Sequence, residues 1–173
     1  MRKGLLIVFT GEGKGKTTAA LGMALRAAGH GLRVLILQFM KGSWSYGELE
    51  ALKRFEEIVI EPLGSGFTWQ KESLEEDIRL AKAGWERALA AMGEPGYDLI
   101  ILDELNYVLA YRLLPLEPVL VALKERRMEL HVVITGRGAA EELIRLADLV
   151  TEMRLLKHPY HDQGIKAQPG IEY

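Results

Sequence analysis

The sequence contains no cysteine, which excludes disulfide bonds and cysteine-ligated metal centres and suits a reducing compartment. It has no basic surplus, because 22 lysines and arginines face 24 aspartates and glutamates and give a net charge of -2. The chain therefore lacks the overall positive charge that is typical of nucleic-acid-binding proteins. No apolar run approaches the length of a transmembrane helix. We expect a cytoplasmic protein without nucleic-acid or membrane partners.

The chain is nevertheless long enough, at 173 residues, for one domain with its own hydrophobic core. Hydrophobic residues make up 49% of it and charged residues 27%, as in ordinary globular proteins. Its first residues faintly resemble a signal peptide. However, the apolar run Leu5–Phe9 leads straight into a Gly-rich stretch, so it predicts a buried first strand.

The most informative stretch follows that run, and we call residues 10–18 the phosphate loop. It reads Thr10-Gly11-Glu12-Gly13-Lys14-Gly15-Lys16-Thr17-Thr18 and precedes a helical pattern. Glycines let backbone N–H groups converge on an anion, and a helix N-terminus adds unpaired donors. Lys16 supplies positive charge, and the Thr17 hydroxyl can ligate Mg²⁺ (or Mn²⁺). Thr10 replaces the first glycine of the usual pattern, but strand, loop and helix together predict a site for a nucleoside triphosphate.

Apolar runs alternate with helical patterns along the rest of the chain. Runs at 34–37, 99–102 and 132–134 are apolar throughout, which is typical of parallel strands buried on both faces, and 58–60 and 149–151 are weaker strands. Helices are predicted at 17–29, 47–56, 74–92, 116–127 and 139–147. This alternation predicts an α/β P-loop-type three-layer sandwich with a mostly parallel central sheet. We expect one nucleotide-binding domain over 1–173, with 158–173 as an irregular C-terminal tail.

Other candidate side chains lie where ligands bind open α/β sheets, beyond the carboxyl ends of the strands. Asp103 and Glu104 follow an apolar strand, where a carboxylate reaches Mg²⁺ directly or through water. Spacing does not decide which of the two is the direct ligand. Phe67 and Trp69, beside two glycines, either close the core or form an apolar wall for a large flat ligand. Arg137 either contacts phosphate or is an ordinary surface residue.

Taken together, these segments resemble the P-loop-type corrinoid (cob(I)alamin) ATP adenosyltransferases over nearly the whole chain. The matching segments are Phe9–Ala20, Gln38–Gly42, Gly66–Trp69, Leu102–Tyr107, Ile134–Gly138 and, in the tail, Lys157-His158 with Gly164–Tyr173. The tail is the most distinctive, because no generic ATPase needs it. The family also shares the Thr-Gly start of the phosphate loop, although Glu12 stands where members often have Asn.

The resemblance implies that Co(I) of the corrinoid attacks the 5′ carbon of ATP. An adenosylcobalamin or adenosylcorrinoid forms, and triphosphate leaves whole. Because the cobalt is the nucleophile, the protein would supply positioning, charge stabilisation and protection of Co(I).

The resemblance also implies a role for each candidate residue. Lys16 and Glu104 would be catalytic, and Thr17 and Glu104, supported by Asp103, would hold the metal. The remaining ATP-binding residues would be Gly11, Glu12, Gly13, Lys14, Gly15, Thr18, Arg26 near the nucleoside, and Arg137. Phe67 and Trp69 would replace the lower ligand of the corrinoid.

The family further implies a homodimer and an electron-donor flavoprotein as partner. The residues alone leave an alternative open, a P-loop ATPase or small-molecule kinase in which Glu104 activates water or an acceptor hydroxyl. The product separates the two, since these enzymes yield ADP. Whether cobalamin or a precursor corrinoid is the natural substrate also stays open.

Overall fold

A computed structural model of the protein describes residues 3–42, 46–64 and 74–172. The strands are β1 (Leu6–Thr10), β2 (Val34–Gln38), β3 (Ile58–Pro62), β4 (Leu99–Asp103), β5 (His131–Thr135) and β6 (Leu149–Glu152). The helices are α1 (Lys16–Ala28), α2 (Gly47–Leu52), α3 (Glu75–Gly93), α4 (Leu105–Ala110), α5 (Leu116–Glu125), α6 (Glu141–Leu146) and α7 (Pro159–Gln163).

The six strands form one sheet in the order β3-β2-β4-β5-β1-β6, and every pairing in it is parallel. All six predicted strands are confirmed, as is the α/β sandwich. Strand β1 lies between β5 and the edge strand β6, so the loop that follows it opens at the carboxyl end of the sheet, one strand in from that side.

Two hydrophobic clusters pack on the two faces of the sheet and define three layers. Alternate residues of β1 show the division, since Leu6 and Val8 belong to one cluster and Ile7 and Phe9 to the other. Helices α3, α4, α5 and α6 contribute to the first cluster, and α1 and α2 to the second.

Helix α1 lies close to the sheet because its inner face carries small side chains. Ala20, Ala24 and Ala28 recur at every fourth position and are buried. The helix contacts β1, β2, β4 and β5, so the end of the phosphate loop is fixed directly above the central strands.

Several helix boundaries differ from those predicted from the sequence, because residues at or beside the predicted helix ends form hydrogen bonds with other segments. Helix α2 ends at Leu52 rather than 56, since the Glu57 carbonyl already accepts the Val34 N–H at 2.8 Å beside the sheet. Helix α6 begins at Glu141 rather than 139, since the Ala139 N–H donates to Thr10 Oγ1 at 3.2 Å. Helix α5 ends two residues early, where the Arg126 side chain donates to the Leu123 carbonyl.

Two short helices were not predicted, because neither lies in a longer helical pattern of the kind that predicted α2 and α6. These are α4, directly after Glu104, and α7, inside the tail. Among the residues that the structure describes, no helix is both long and apolar enough to cross a membrane.

We predict opposite effects of the same substitution at two glycines. A Cβ on Gly4 would overlap the Leu130 carbonyl, so Gly4→Ala should lower the free energy of unfolding by about 1–3 kcal/mol. Gly22, inside α1, has no atom within 4 Å of such a Cβ, and Gly22→Ala should raise stability by up to about 1 kcal/mol. Urea unfolding measures both, and a loss of stability in both variants would contradict the assignment of open space at Gly22.

Candidate functional site

The four inner strands of the sheet each end in a buried polar residue. These residues are Thr10 of β1, Gln38 of β2, Asp103 of β4 and Thr135 of β5. Because the strands are parallel, all four side chains lie at one edge of the sheet, beneath the phosphate loop. Polar groups buried in this way need hydrogen-bond partners, and they find them largely in one another.

The carboxylate of Asp103 is the centre of this group. Its Oδ1 accepts from the Thr17 hydroxyl at 2.8 Å and from the Thr135 hydroxyl at 2.7 Å, and its Oδ2 accepts from the Gln38 amide at 3.2 Å. Both hydroxyl protons therefore point toward Asp103, which joins α1, β2 and β5 to the end of β4. The buried Gln38 Oε1 has no hydrogen-bond partner among the described residues.

Glu104 turns the chain from β4 into α4 with a backbone that non-glycine residues rarely adopt. Its φ is 64°, and its N–H donates to Thr135 Oγ1 at 2.9 Å. Burial, and then the neighbouring Asp103, raise the pKa of the Glu104 carboxyl. A Cβ on Gly136, whose φ is 125°, would lie 3.1 Å from Glu104 Oε2, so the loop after β5 passes close to this carboxylate.

Lys16 folds over the phosphate loop that precedes it. Its ammonium donates to the carbonyls of Gly11 at 2.8 Å and Gly13 at 2.6 Å, which leaves one N–H for another acceptor. Burial lowers the pKa of Lys16, while nearby Glu104 works in the opposite direction. Gly15, at φ 104°, caps α1 without a side-chain hydrogen bond, so the first amides of the helix face an open site.

The first two glycines of the loop also serve a purpose that sequence reasoning missed. A Cβ on Gly11 or Gly13 would lie 2.5 Å or 2.7 Å from the Met153 carbonyl oxygen. That carbonyl accepts the Gly13 N–H at 2.7 Å, so this amide is engaged behind the loop instead of being free for an anion. The chain after β6 therefore supports the loop from behind.

A cleft of 760 Å³ opens above the loop, and we call it the nucleotide cleft. Its lining comprises residues 12–18, Leu21, Met40, Lys41, 46–48, Glu104, Tyr107, Arg137 and 170–172. The predicted loop residues from Glu12 to Thr18, together with Glu104 and Arg137, are thus brought together. Gly11 lies behind them, and Asp103 lies beneath.

The cleft has apolar walls that sequence analysis did not assign. Leu21, Met40, Tyr46 and Tyr107 contribute to them, and Tyr107 stacks on Tyr111 with 4.1 Å between ring centroids. Single side chains of this kind, spread over three segments, carry no local pattern that could have identified them as a wall. Met40 and Tyr46 lie in the segment 38–47, which follows β2 and whose position at this edge the sequence predicts, whereas Leu21 and Tyr107 carry no such signal.

The tail returns to the phosphate loop at the far end of the chain. Gly170, Ile171 and Glu172 line the nucleotide cleft, and Glu172 Oε2 lies 2.5 Å from Lys14 Nζ. The family resemblance marked the tail as distinctive, but no feature of its sequence indicated where it packs.

The remaining predicted residues are placed differently. Arg137 lines the cleft and forms an exposed ion pair with Glu12 at 3.3 Å. Arg26 is exposed in the last turn of α1, ten residues after Lys16 and hence about 15 Å along the helix axis, outside the cleft lining. Phe67 and Trp69 lie outside the described residues. Within the described ranges, no three His, Cys, Asp or Glu side chains form a metal cluster.

The sheet order, the loop between β1 and α1, and the carboxylates after β4 define a P-loop nucleotide-binding protein. Solved structures of the same fold include the flagellar accessory protein FlaH from Methanocaldococcus jannaschii, with a TM-score of 0.58 and 12% identity. The alignment covers 88% of this chain and 72% of FlaH. A KaiC-like protein from Pyrococcus horikoshii gives a TM-score of 0.53 at 16% identity, covering 87% and 72%. Such low identities show the fold alone.

Sequence comparison defines the family. The family described as "ATP:corrinoid adenosyltransferase BtuR/CobO/CobP" matches residues 2–173. The chain is 45% identical to the corrinoid adenosyltransferases of Escherichia coli K12 and Salmonella typhimurium LT2, over 99% of its own length and 86% of theirs. The enzyme of Pseudomonas aeruginosa is also 45% identical, with 99% and 84% covered. The chain therefore belongs to the ATP:corrinoid adenosyltransferase family, which confirms the resemblance and does not favour the ATPase or kinase alternative.

We predict that Thr135 positions both acidic residues. Thr135→Val keeps the shape but removes a donor to Asp103 and the acceptor of the Glu104 N–H, and a buried unpaired donor costs about 1–3 kcal/mol. The variant should unfold at lower urea concentration and bind ATP with a weaker dependence on Mg²⁺, as calorimetry can measure. Thr135→Ser retains the hydroxyl and should restore both properties. Equal behaviour of the two variants would mean that the methyl group, not the hydroxyl, matters.

We also predict that Glu104 destabilises the ligand-free protein. Because its folded pKa is raised, the penalty is absent below the unfolded value of about 4.3 and is fully present above the folded value. Glu104→Gln should therefore unfold at higher urea concentration than the wild type at about pH 8, and the difference should vanish on acidification toward the unfolded pKa. Urea titrations across this range measure it. A Gln variant that is less stable at every pH would refute the interpretation.

Proposed function

We propose that the protein transfers the 5′-deoxyadenosyl group of ATP to the Co(I) centre of a corrinoid. The cobalt–carbon bond forms as the C5′–O bond breaks, and the leaving oxygen keeps the bonding electrons as part of triphosphate. The observation that carries this proposal is a phosphate-loop cleft with Lys16 at its floor in a chain of the corrinoid adenosyltransferase family. No side-chain nucleophile is required, because the substrate cobalt is the nucleophile.

The triphosphate would lie on the phosphate loop, where the charge of the leaving group develops. Three cations line this part of the cleft, Lys14, Lys16 and Arg137. The unpaired amides at the start of α1 add donors and the positive end of the helix dipole. Lys16 is the best placed of the three, because the loop carbonyls hold its ammonium rigidly and one N–H is left for a phosphate oxygen.

The residues present fit a divalent metal ion bound together with the nucleotide. Mg²⁺ prefers a few protein oxygens supplemented by phosphate and water, and Mn²⁺ accepts similar ligands. Thr17 and Glu104 line the cleft and would hold the ion. Asp103 lies beneath, its oxygens already accepting three hydrogen bonds, so it would act by orienting Thr17. When bound, the ion would neutralise charge on the triphosphate.

Other parts of the proposal are supported by the family resemblance. Phe67 and Trp69 would face the lower side of the corrinoid, so that a cobalt without axial ligands is more easily reduced to Co(I). The resemblance likewise supports a homodimer, an electron-donor flavoprotein and a cytoplasmic location. It also supports a place for Arg26 near the nucleoside, although Arg26 lies outside the lining of the cleft in the ligand-free protein. The apolar walls at Met40 and Tyr107 are suited to adenosine or corrinoid.

We predict that the protein, given ATP, Mg²⁺ and chemically reduced cobalamin, forms adenosylcobalamin and one equivalent of triphosphate. Absorbance follows the cobalt–carbon bond, and anion-exchange chromatography identifies the phosphate product. Stoichiometric ADP without a cobalt–carbon bond would reject the proposal in favour of an ATPase or kinase.

A pair of lysine variants locates the activity in the cleft. Lys16→Ala should slow transfer about a hundredfold, since one positioned charge at a leaving group is worth roughly 3 kcal/mol. Lys53→Ala is the control and should leave the rate unchanged, because Lys53, directly after α2, forms an exposed ion pair with Glu50 and does not line the nucleotide cleft.

A further inference from the structure

The C-terminal segment forms a wall of the nucleotide cleft that the proposed reaction does not use. Gly170, at φ 76°, turns the chain, and the N–H groups of Ile171 and Glu172 both donate to the Gln168 carbonyl. This turn directs Glu172 back to the phosphate loop, where its carboxylate meets Lys14 at 2.5 Å. The Glu172 side chain is 19% exposed and the Lys14 side chain 48%, and both residues line the nucleotide cleft, so the pair lies partly exposed at its rim.

The charges of the cleft are balanced in the ligand-free protein. Arg137 pairs with Glu12, and the Glu104 carboxylate acts electrostatically on Lys16. Lys41 pairs with Glu48. Lys14 is the fourth cation of the lining, and its partner comes from the opposite end of the chain. A triphosphate that enters the cleft therefore meets a lysine whose charge is already neutralised, next to a carboxylate that repels it.

We propose that Glu172 is an internal competitor for the triphosphate at Lys14. In the ligand-free protein its carboxylate occupies the position that a phosphate oxygen takes when a polyphosphate binds. Binding exchanges one anion for the other on Lys14, and no covalent bond changes. The consequence for turnover rests on the proposed function. The triphosphate product carries several negative charges and would bind tightly to the phosphate loop. Glu172 would promote its dissociation by pairing with Lys14 again.

The test measures binding of inorganic triphosphate to the full ligand-free chain by titration calorimetry. Glu172→Gln removes the competing charge, and it should bind triphosphate about two- to fivefold more tightly, the size expected for a partly exposed ion pair. In the Lys14→Gln background the same change should have no effect, because the competition is for Lys14. Glu141→Gln, which removes an equal charge from an exposed site on α6, should bind as the wild type does.

Each other outcome overturns the proposal. Weaker binding of triphosphate by Glu172→Gln would mean that the carboxylate orients Lys14 for the phosphate. Unchanged binding would mean that Glu172 only forms part of the wall of the cleft. Tighter binding that persists in the Lys14→Gln background would indicate a general field effect. Thermal unfolding confirms that each variant is folded. The measurement needs neither corrinoid nor turnover, so a failure of adenosyl transfer would leave its result unaffected.

Discussion

The carboxylate of Asp103 is the constraint on which the rest of the site depends. A buried charge is costly unless hydrogen bonds compensate it, and here three side chains from α1, β2 and β5 do so. The same bonds fix the Thr17 hydroxyl and, through Thr135, the backbone of Glu104. One compensated charge thus sets the relative positions of the two elements that every phosphate-loop protein must bring together.

A second support acts on the phosphate loop from behind. Met153 follows the edge strand β6, receives the Gly13 N–H and packs so closely that neither Gly11 nor Gly13 has room for a Cβ. Lys16 closes the loop from the front by donating to the carbonyls of the same two glycines. The loop is therefore held on both sides before any ligand binds, which lowers the entropy that binding must overcome.

The sequence was informative wherever the signal is local. Apolar runs identified six strands, and the order strand, glycine loop, lysine identified the phosphate site. The role of Thr135 could have been inferred, because it is one of four polar residues that end apolar runs, and parallel strands bring such ends together. The contact of Met153 with the loop and the return of Glu172 to Lys14 could not, since both depend on how distant segments meet. The short helix α4 was missed for a different reason, because its six residues are not part of a longer helical pattern such as those that predicted α2 and α6.

The cleft combines a rigid floor with walls that are held more lightly. Its floor is joined to the sheet by the bonds around Asp103 and by the close approach of Met153. Two of its walls, residues 46–48 and 170–172, are held by the ion pairs Lys41–Glu48 and Lys14–Glu172 at the rim. In the proposed reaction the nucleophile is the substrate cobalt, so the floor must hold the breaking C5′–O bond in line with the attacking cobalt. A misaligned bond would slow the transfer step. In the proposed reaction the walls would contact the larger parts of the substrates. The partly exposed Lys14–Glu172 pair could then be exchanged for contacts with the ligand at little free-energy cost.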